Sequence, residues 1–223
     1  MMTDRMPDRA TDSNTTDRMT DDKMIDSKTT AIERHPLQPF LPAEARVLML
    51  GSFPPPHTRW SMEFYYPNFI NDMWRIMGLV FYGDRQHFVD GEHKRFHLER
   101  VVEFCTARGI AIYDTATAVR RLKENASDKF LEVVEPTDVG SLLRRIPECR
   151  AVVVTGEKAA ETVLLSLGQH AHTYPKIGEY VEFEFEGRPM RLWRMPSTSR
   201  AYPLALEKKA EYYGRMFSET SVL

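Results

Sequence analysis

The chain has 223 residues, of which 42% are hydrophobic and 28% charged, with a formal net charge of −2 at pH 7. A chain of this length and composition can bury one core, so we expect a single folded domain. No apolar run approaches the ~20 residues of a membrane helix, which excludes a membrane-spanning protein. Cys105 and Cys149 are 44 residues apart and lack the spacing of metal ligands, which excludes an iron–sulfur or zinc–thiolate site. We expect both thiols to be buried and reduced, as in a cytoplasmic protein.

The opening segment differs in composition from the rest of the chain. It has no aromatic residue, almost no aliphatic residue and no apolar period, so it cannot offset the entropy of ordering. Through Glu33 it holds eight acidic and five basic residues, which leaves 24 of the 32 acidic and 25 of the 30 basic residues in the remainder. We therefore predict a disordered tail over residues 1–33 and one domain over residues 34–223. The nearly neutral domain argues against nonspecific coating of nucleic acid.

Strand-like and helix-like patterns alternate from His35 onward. Strands are predicted at residues 46–50, 110–113 and 151–155, and helices at 68–80, 96–107, 157–167 and 203–217, with a short helix between Thr137 and Pro147. Asn68 and Thr137 are the predicted caps of their helices, and Gly109 ends the second helix. The sequence YVEFEFEGRPMRLWRM predicts two alternating strands about a Glu-Gly-Arg-Pro turn. This alternation predicts an α/β sandwich with a mostly parallel central sheet.

The segments that follow the predicted strands are rich in Gly, Pro, Ser, Thr and Arg. They read GSFPPPHTRW, DTATAVRR, GEKAAE and PSTSRAY in chain order. Open α/β sheets bind ligands beyond the carboxyl ends of their strands. We therefore expect the functional site at that edge of the sheet.

Other familiar motifs are absent or weak. No P-loop is present, and Ser52 lacks the context of a nucleophile elbow. His93 and His97 are four residues apart, and His170 and His172 flank an alanine, but neither pair has a third ligand of plausible spacing. We expect these histidines to be solvated surface residues and predict no metal site.

Five aromatic residues follow the three prolines of the first loop: Trp60, Phe64, Tyr65, Tyr66 and Phe69. One interpretation is that each ring caps the core. The other is that rings together with Asn68 and Asn71 form a pocket for a nucleobase, which stacks on a ring and presents polar edges to an amide. In the last loop, Ser197, Thr198 and Ser199 offer hydroxyl and backbone N–H groups to a phosphate, and Arg200 adds a positive charge.

From about Pro36 to Phe217 the chain resembles the uracil-DNA glycosylase superfamily, and it is most similar to the branch of mismatch-specific uracil and hypoxanthine glycosylases. Five segments in the family's order carry the resemblance: LMLGSFP, YYPNFINDMWRIMG, GIAIYDTA, VVVTGEKAAET and MPSTS. The resemblance implies a three-layer α/β/α sandwich. It also implies base excision, in which a damaged nucleotide flips out of DNA and its base is hydrolysed from the deoxyribose without a metal or other cofactor. The implied partner is DNA with a damaged or mismatched base, and we expect a monomer.

The resemblance also suggests site residues. Asn71 is the candidate for orienting the water or the base, although its side chain would equally serve as a helix cap. Asp114 is either a catalytic base or the cap of the next turn. Tyr66 is the expected base-stacking ring, with Tyr65 as the alternative, and Asn68 lies beside them. Arg200 or Tyr202 would fill the place of the apolar wedge that some relatives insert into DNA.

Two positions depart from the family's pattern. Phe53 stands where many members have an Asp or Asn, and Met195 stands where the last motif often begins with a His or Asn. Both are assigned here to the base pocket. These replacements favour a rival function, a non-catalytic protein that binds damaged or mismatched DNA.

A second rival function is that of an enzyme for free nucleosides. The cluster of Arg120, Arg121 and Lys123 argues against this function. We expect a monofunctional glycosylase with water as nucleophile, because no lysine stands out as a Schiff-base former.

Overall fold

A computed structural model describes residues 31–122, 130–167 and 175–223 of the chain. Residues 1–30 of the predicted tail and the His170–His172 pair lie outside the described residues. The elements, in chain order, are β1 (Ile32–Arg34), β2 (Val47–Gly51), α1 (Met73–Tyr82), β3 (Val89–Asp90), β4 (Arg95–Phe96), α2 (Leu98–Arg108), β5 (Ile110–Asp114), β6 (Ala116–Arg121), β7 (Leu131–Pro136), α3 (Val139–Arg145), β8 (Ala151–Thr155), α4 (Glu157–Leu167), β9 (Glu179–Phe185), β10 (Arg188–Met195) and α5 (Leu206–Glu219).

The central sheet has the strand order β5-β2-β8-β10-β9. The first four strands run parallel, and β9 pairs antiparallel with β10 at one edge. Every residue of β2, β5 and β8 is buried, as expected for strands covered on both faces. Helices α1 and α5 pack together, as do α3 and α4, and form the layers that cover the sheet. The predicted α/β sandwich with a mostly parallel sheet is confirmed.

A second sheet, of strands β1, β6 and β7, was not expected from the sequence. It includes Ile32 and Glu33, which were predicted to belong to the tail. It also includes most of the segment DTATAVRR, for which no strand was predicted. Arg120 pairs with Glu132 at 2.7 Å. Arg121 contacts Glu33 at 2.9 Å and donates to the Pro54 carbonyl at 2.6 Å. These arginines therefore have partners inside the sheet, and Lys123 lies outside the described residues.

Several helix boundaries differ from the predictions. Helix α1 begins at Met73, because Asn68 accepts a hydrogen bond from the Ile70 N–H and forms a turn before the helix. Ile70, which lies within the predicted helix, instead belongs to this turn and is 52% exposed. Asp138, and not Thr137, caps α3 by accepting from the Ser141 N–H.

The ends of two other helices differ as well. Helix α2 was predicted to start at Phe96, but Phe96 belongs to β4 and the helix starts at Leu98. The helix stops at Gly109, as predicted, where φ is +63°. Helix α5 starts at Leu206, three residues after Pro203.

The remaining structural expectations concern thiols, histidines and membrane segments. Cys105 and Cys149 are buried and free of disulfides, as predicted. His93 is exposed and contacts Asp90 at 2.9 Å. Across the described ranges, no cluster of three or more His, Cys, Asp or Glu side chains is arranged to hold a metal ion. None of the helices in these ranges is both long and apolar enough to cross a membrane.

Candidate functional site

A cavity of about 540 Å³ opens beyond the carboxyl ends of the parallel strands. Its lining comes from residues 51–55 after β2, residues between 66 and 71 before α1, Asp114 at the end of β5, Thr155 at the end of β8, and residues 197–202 after β10. This is the edge of the sheet where the sequence predicted the site.

A larger depression, about 720 Å³, lies at the opposite, amino ends of the strands. Arg46, Arg150 and Arg191 border it. Their guanidinium groups donate to backbone carbonyls of the protein itself, at Ser221, Pro147 and Glu219. The three arginines of this depression are thus engaged by the protein's own backbone. We assign the functional site to the carboxyl ends of the strands, where open α/β sheets bind their ligands.

Most of the predicted site residues line the cavity: Phe53, Tyr66, Asn68, Asn71, Asp114, Ser197, Thr198, Ser199, Arg200 and Tyr202. Two do not. Met195 is completely buried at the end of β10. Tyr65 is 3% exposed, and its hydroxyl donates to the Gln38 carbonyl at 2.8 Å. Neither residue is placed to contact a base in the cavity.

The aromatic segment is divided between core and cavity. Phe64 and Tyr65 belong to the hydrophobic core, and Phe69 packs against Phe96 and the guanidinium of Arg75. The Trp60 indole donates to the Pro55 carbonyl at 2.8 Å. Of the five rings, all of which the structure describes, Tyr66 alone lines the cavity. The interpretation that rings cap the core therefore holds for Phe64 and Tyr65.

Tyr66 has an unusual backbone conformation. Its φ is +50°, in the left-handed region that a residue with a bulky side chain rarely adopts. Its hydroxyl lies 3.1 Å from Thr155 Oγ1, so the side chain reaches from the loop before α1 to the end of β8. Strained conformations of this kind concentrate at functional sites.

Asp114 is the carboxylate in the cavity wall, and its partner is His35. His35 Nε2 lies 2.9 Å from Asp114 Oδ2, with side-chain exposures of 2% for the histidine and 9% for the aspartate. Burial first, and then the negative charge of Asp114, raise the pKa of the hydroxyls of Tyr65 and Tyr113. Within the described residues, the carboxyl group of Asp114 thus lies among aromatic rings and forms a hydrogen bond with His35.

Gly51 makes room for this carboxylate. Gly51 and Asp114 are paired positions in the parallel register of β2 and β5. A Cβ on residue 51 would lie 2.3 Å from Asp114 Oδ1 and 3.4 Å from the Tyr66 hydroxyl. Only glycine fits there without displacing the side chain of Asp114.

Asn71 combines a structural contact with an available donor. Its Oδ1 accepts from the Met73 N–H at 2.8 Å and so forms the turn that leads into α1, although the N-cap position itself is Asp72. The amide nitrogen of Asn71 makes no hydrogen bond to another residue within the described part of the chain, and Asn71 lines the cavity. A donor is therefore available to a ligand.

The loop after β10 is fixed by a buried ion pair. Lys209 Nζ, in α5, lies 2.9 Å from Asp72 Oδ2 and donates to the Ser199 carbonyl at 2.8 Å. The Asp72 N–H donates to the Thr198 carbonyl at 2.9 Å. Arg200 Nε approaches the other carboxylate oxygen of Asp72 at 3.5 Å.

The serines of this loop accept hydrogen bonds from its own backbone. Ser197 Oγ accepts from the Ser199 N–H and Ser199 Oγ from the Ala201 N–H, each at 3.2 Å. Of the N–H groups predicted to bind a phosphate, that of Ser199 is thus already engaged within the loop. The hydroxyls themselves still line the cavity.

Sequence reasoning missed His35 and the Lys209–Asp72 pair. His35 stands alone in the sequence, and its partner is 79 residues away. Lys209 lies four residues before Tyr213 and seven before Met216, so helical spacing places it on the buried face of α5. A lysine is rarely buried, however, and it was not predicted to join the core. No local pattern marks His35.

No family model matches the chain, and no curated protein matches it in sequence. Among solved structures, the chain is similar to a solution NMR structure of a "putative Uracil DNA glycosylase" from Methanosarcina acetivorans. The match has 20% sequence identity and a TM-score of 0.58, and covers 86% of this chain and 99% of the other. The chain has a uracil-DNA glycosylase-like fold. At this identity the likeness concerns the fold, and the chemistry has to be argued from the cavity.

Proposed function

We propose that the protein is a DNA glycosylase that hydrolyses the N-glycosidic bond of a deaminated base, uracil or hypoxanthine, flipped out of DNA. The observation that carries the proposal is the carboxylate of Asp114. It is held by His35 in the wall of a cavity that Tyr66 and Asn71 also line. The sequence segments GSFP and Asn-x-x-Trp support the mismatch-specific uracil and hypoxanthine branch.

The residues of the cavity suit the chemistry of base excision. The transition state has a cationic sugar and an anionic leaving base, so an enzyme must stabilise both charges and deliver water. Asp114 supplies the negative charge beside the sugar and accepts the proton of water. The Asn71 amide donates to the base or orients the water, and the rings of Tyr66 and Phe53 contact the base. The proposed enzyme is monofunctional, because the described part of the lining contains no lysine to form a Schiff base.

Arginines near the cavity favour DNA over a free nucleoside as substrate. Arg59 and Arg200 both line the cavity, and the side chain of Arg200 is 54% exposed. Exposed guanidinium groups beside a base pocket suit the phosphates that flank a flipped nucleotide. A free nucleoside would have no such phosphates.

The apolar ring of Phe53 favours the second candidate, a protein that binds damaged or mismatched DNA without cleaving it. This ring occupies the position of a polar residue in many members of the resembled family, and it lies in the cavity wall. The His35–Asp114 pair opposes this candidate. Binding alone does not require a nearly buried carboxylate, which costs free energy to desolvate.

A single-turnover assay tests the proposal. Labelled duplexes carry uracil or hypoxanthine opposite each normal base, and the wild type is expected to release one of them. Asn71→Ala should lower the rate about 100-fold or more, as for loss of one transition-state donor. Asn71→Ser is the matched control, because serine retains an oxygen acceptor for the Met73 N–H and loses the amide. Both variants should be slow, and only Asn71→Ala should lose about 1 kcal/mol of stability.

The other outcomes separate the candidates. Release that survives in both Asn71 variants would keep the glycosylase and remove the assigned role of Asn71. No release from any duplex, with binding to abasic or mismatched DNA retained, would establish the non-catalytic binding protein.

A further inference from the structure

The imidazole of His35 is buried beneath the cavity and has hydrogen-bond partners on both ring nitrogens. Nε2 lies 2.9 Å from Asp114 Oδ2. Nδ1 lies 3.1 Å from the N–H nitrogen of Leu37 and 3.0 Å from its carbonyl oxygen. In the neutral ring with its proton on Nε2, Nδ1 accepts from the Leu37 N–H. In the cationic ring, the Nδ1 proton donates to the Leu37 carbonyl. Nε2–H therefore donates to Asp114 in both protonation states.

Aromatic neighbours fix the plane of this imidazole. Its centroid lies 4.6 Å from that of Tyr113, 5.3 Å from that of Phe53 and 6.1 Å from that of Tyr65. The His35 side chain is only 2% exposed. A ring packed on three sides keeps one orientation, so the Nε2–H has a fixed direction.

The two oxygens of Asp114 have different surroundings. Oδ2 is held by His35, whereas Oδ1 lies against Gly51, where a Cβ would approach within 2.3 Å of it. Oδ1 makes no hydrogen bond to any residue in the described ranges, and Asp114 lines the cavity. One oxygen is thus anchored in the protein, and the other remains available to a ligand.

We propose that His35 is a positioning residue of the active site: its Nε2–H anchors one oxygen of Asp114 so that the other faces the sugar and the attacking water. This inference rests on the proposed function. In the reaction, the bond from C1′ to the base nitrogen breaks and its electron pair leaves with the base. The water oxygen bonds to C1′, and its proton passes to Asp114 Oδ1 and then to the departing base or to solvent. His35 keeps its proton throughout.

Three variants separate the hydrogen bond from the packing of the ring. His35→Gln places an amide donor near the position of Nε2. His35→Met has the same length without the donor, and His35→Phe keeps an aromatic ring without the donor. All three can be compared by binding alone, with duplexes that carry either a cationic pyrrolidine or a neutral tetrahydrofuran in place of the flipped sugar.

The expected binding result depends on the charge of the sugar analogue. The wild type should bind the pyrrolidine duplex about tenfold more tightly than the tetrahydrofuran duplex, a difference of about 1.4 kcal/mol. His35→Gln should retain this preference, and His35→Met and His35→Phe should lose it. Affinity for the tetrahydrofuran duplex should be similar in all four proteins, which also shows that each variant is folded.

Single-turnover base release gives a second readout. The rate should fall about 10- to 100-fold in His35→Met and His35→Phe, because the loss of a residue that orients a site group typically has an effect of this size. The rate of His35→Gln should fall much less. Retention of the cationic preference in either variant that lacks the donor, its loss in His35→Gln, or its absence in the wild type would overturn the inference. Failure of the wild type to release any base would instead overturn the proposed glycosylase, because the binding comparison requires no chemistry.

Discussion

At the scale of single residues, the absence of a side chain on Gly51 determines where Asp114 lies. A Cβ at residue 51 would meet Asp114 Oδ1 at 2.3 Å, so Gly51→Ala must displace either the carboxylate or strand β2. We expect the single-turnover rate to fall about 100-fold, because misplacing a reacting group by about 1 Å has an effect of that size. The free energy of unfolding should fall by about 1–3 kcal/mol, as in other overpacked sites.

Gly91→Ala is the matched control for this change. A Cβ at residue 91 meets nothing within 4 Å, so this variant should leave both rate and stability close to those of the wild type. Wild-type activity in Gly51→Ala would contradict the role of Asp114 Oδ1, because the methyl group must change the position of that atom relative to strand β2 and the cavity.

Single residues of the site were predictable only where a local pattern surrounds them. Asp114 directly follows an apolar strand, and Asn71 precedes the helix-like run of α1, so both were assigned to the cavity edge. Tyr66 lines the cavity and Tyr65 does not, because the chain adopts a φ of +50° at Tyr66. Two adjacent tyrosines in a sequence do not indicate which of them takes this conformation. His35 contacts Asp114 across 79 residues, and only tertiary structure brings them together.

At the scale of elements, Lys209 joins α5 to the start of α1 and to the loop after β10. Its ammonium group is buried with Asp72 and the Ser199 carbonyl. Lys209→Met leaves the Asp72 carboxylate buried, with Arg200 Nε at 3.5 Å as its remaining cationic partner. Removing one member of a buried pair typically destabilises by about 3–5 kcal/mol, and urea denaturation should show a loss of this size.

The neighbouring Lys208 supplies the control for this experiment. Lys208 is exposed and pairs with Glu211 at 2.8 Å, so Lys208→Met should change stability by less than about 1 kcal/mol. In the double variant Asp72→Leu/Lys209→Met no unpaired carboxylate is buried, and part of the loss should be recovered. Equal stability of Lys209→Met and Lys208→Met would contradict the proposed link between α5 and the cavity loop.

Elements were predictable where apolar runs are continuous. Strand β8 and helix α4 match their predicted ranges, because AVVVT is uniformly buried and a helix-like pattern follows Gly156. The start of α1 was misplaced because Asn68 and Asn71 each bond to a backbone N–H two residues ahead and delay the helix. Strands β6 and β7 were missed because charged residues interrupt their apolar residues, and because only the first residue of β7 is buried.

At the scale of the whole molecule, the second sheet supports the cavity from behind. Phe53 packs in a small cluster with Ala116, Val119 and Leu131 of that sheet. Arg121 holds the Pro54 carbonyl from the same side. The loop that holds the prolines after β2 therefore packs against the second sheet on one side and borders the cavity on the other. The alternating pattern of the chain predicted the central sheet, but it did not indicate this support.

The buried core also predicts how stability depends on pH. Burial raises the pKa of the Cys149 thiol from about 9 to about 11. Below about pH 9 both folded and unfolded chains keep this proton, whereas between about pH 9 and 11 only the unfolded chain releases it. Folding stability should therefore fall through this range, at up to about 1.4 kcal/mol per pH unit for this one group.

Urea denaturation at pH 8 and pH 10.5 measures this loss, and Cys149→Ala isolates the contribution of the thiol. Burial also raises the pKa of Tyr113 and Tyr213, which likewise lowers folding stability at high pH. This effect is the same in the wild type and in Cys149→Ala. The variant should be less stable at pH 8 because it loses packing, but its decline to pH 10.5 should be about 2 kcal/mol smaller than that of the wild type. Equal declines would mean that the Cys149 thiol ionises as readily in the folded protein as in the unfolded chain.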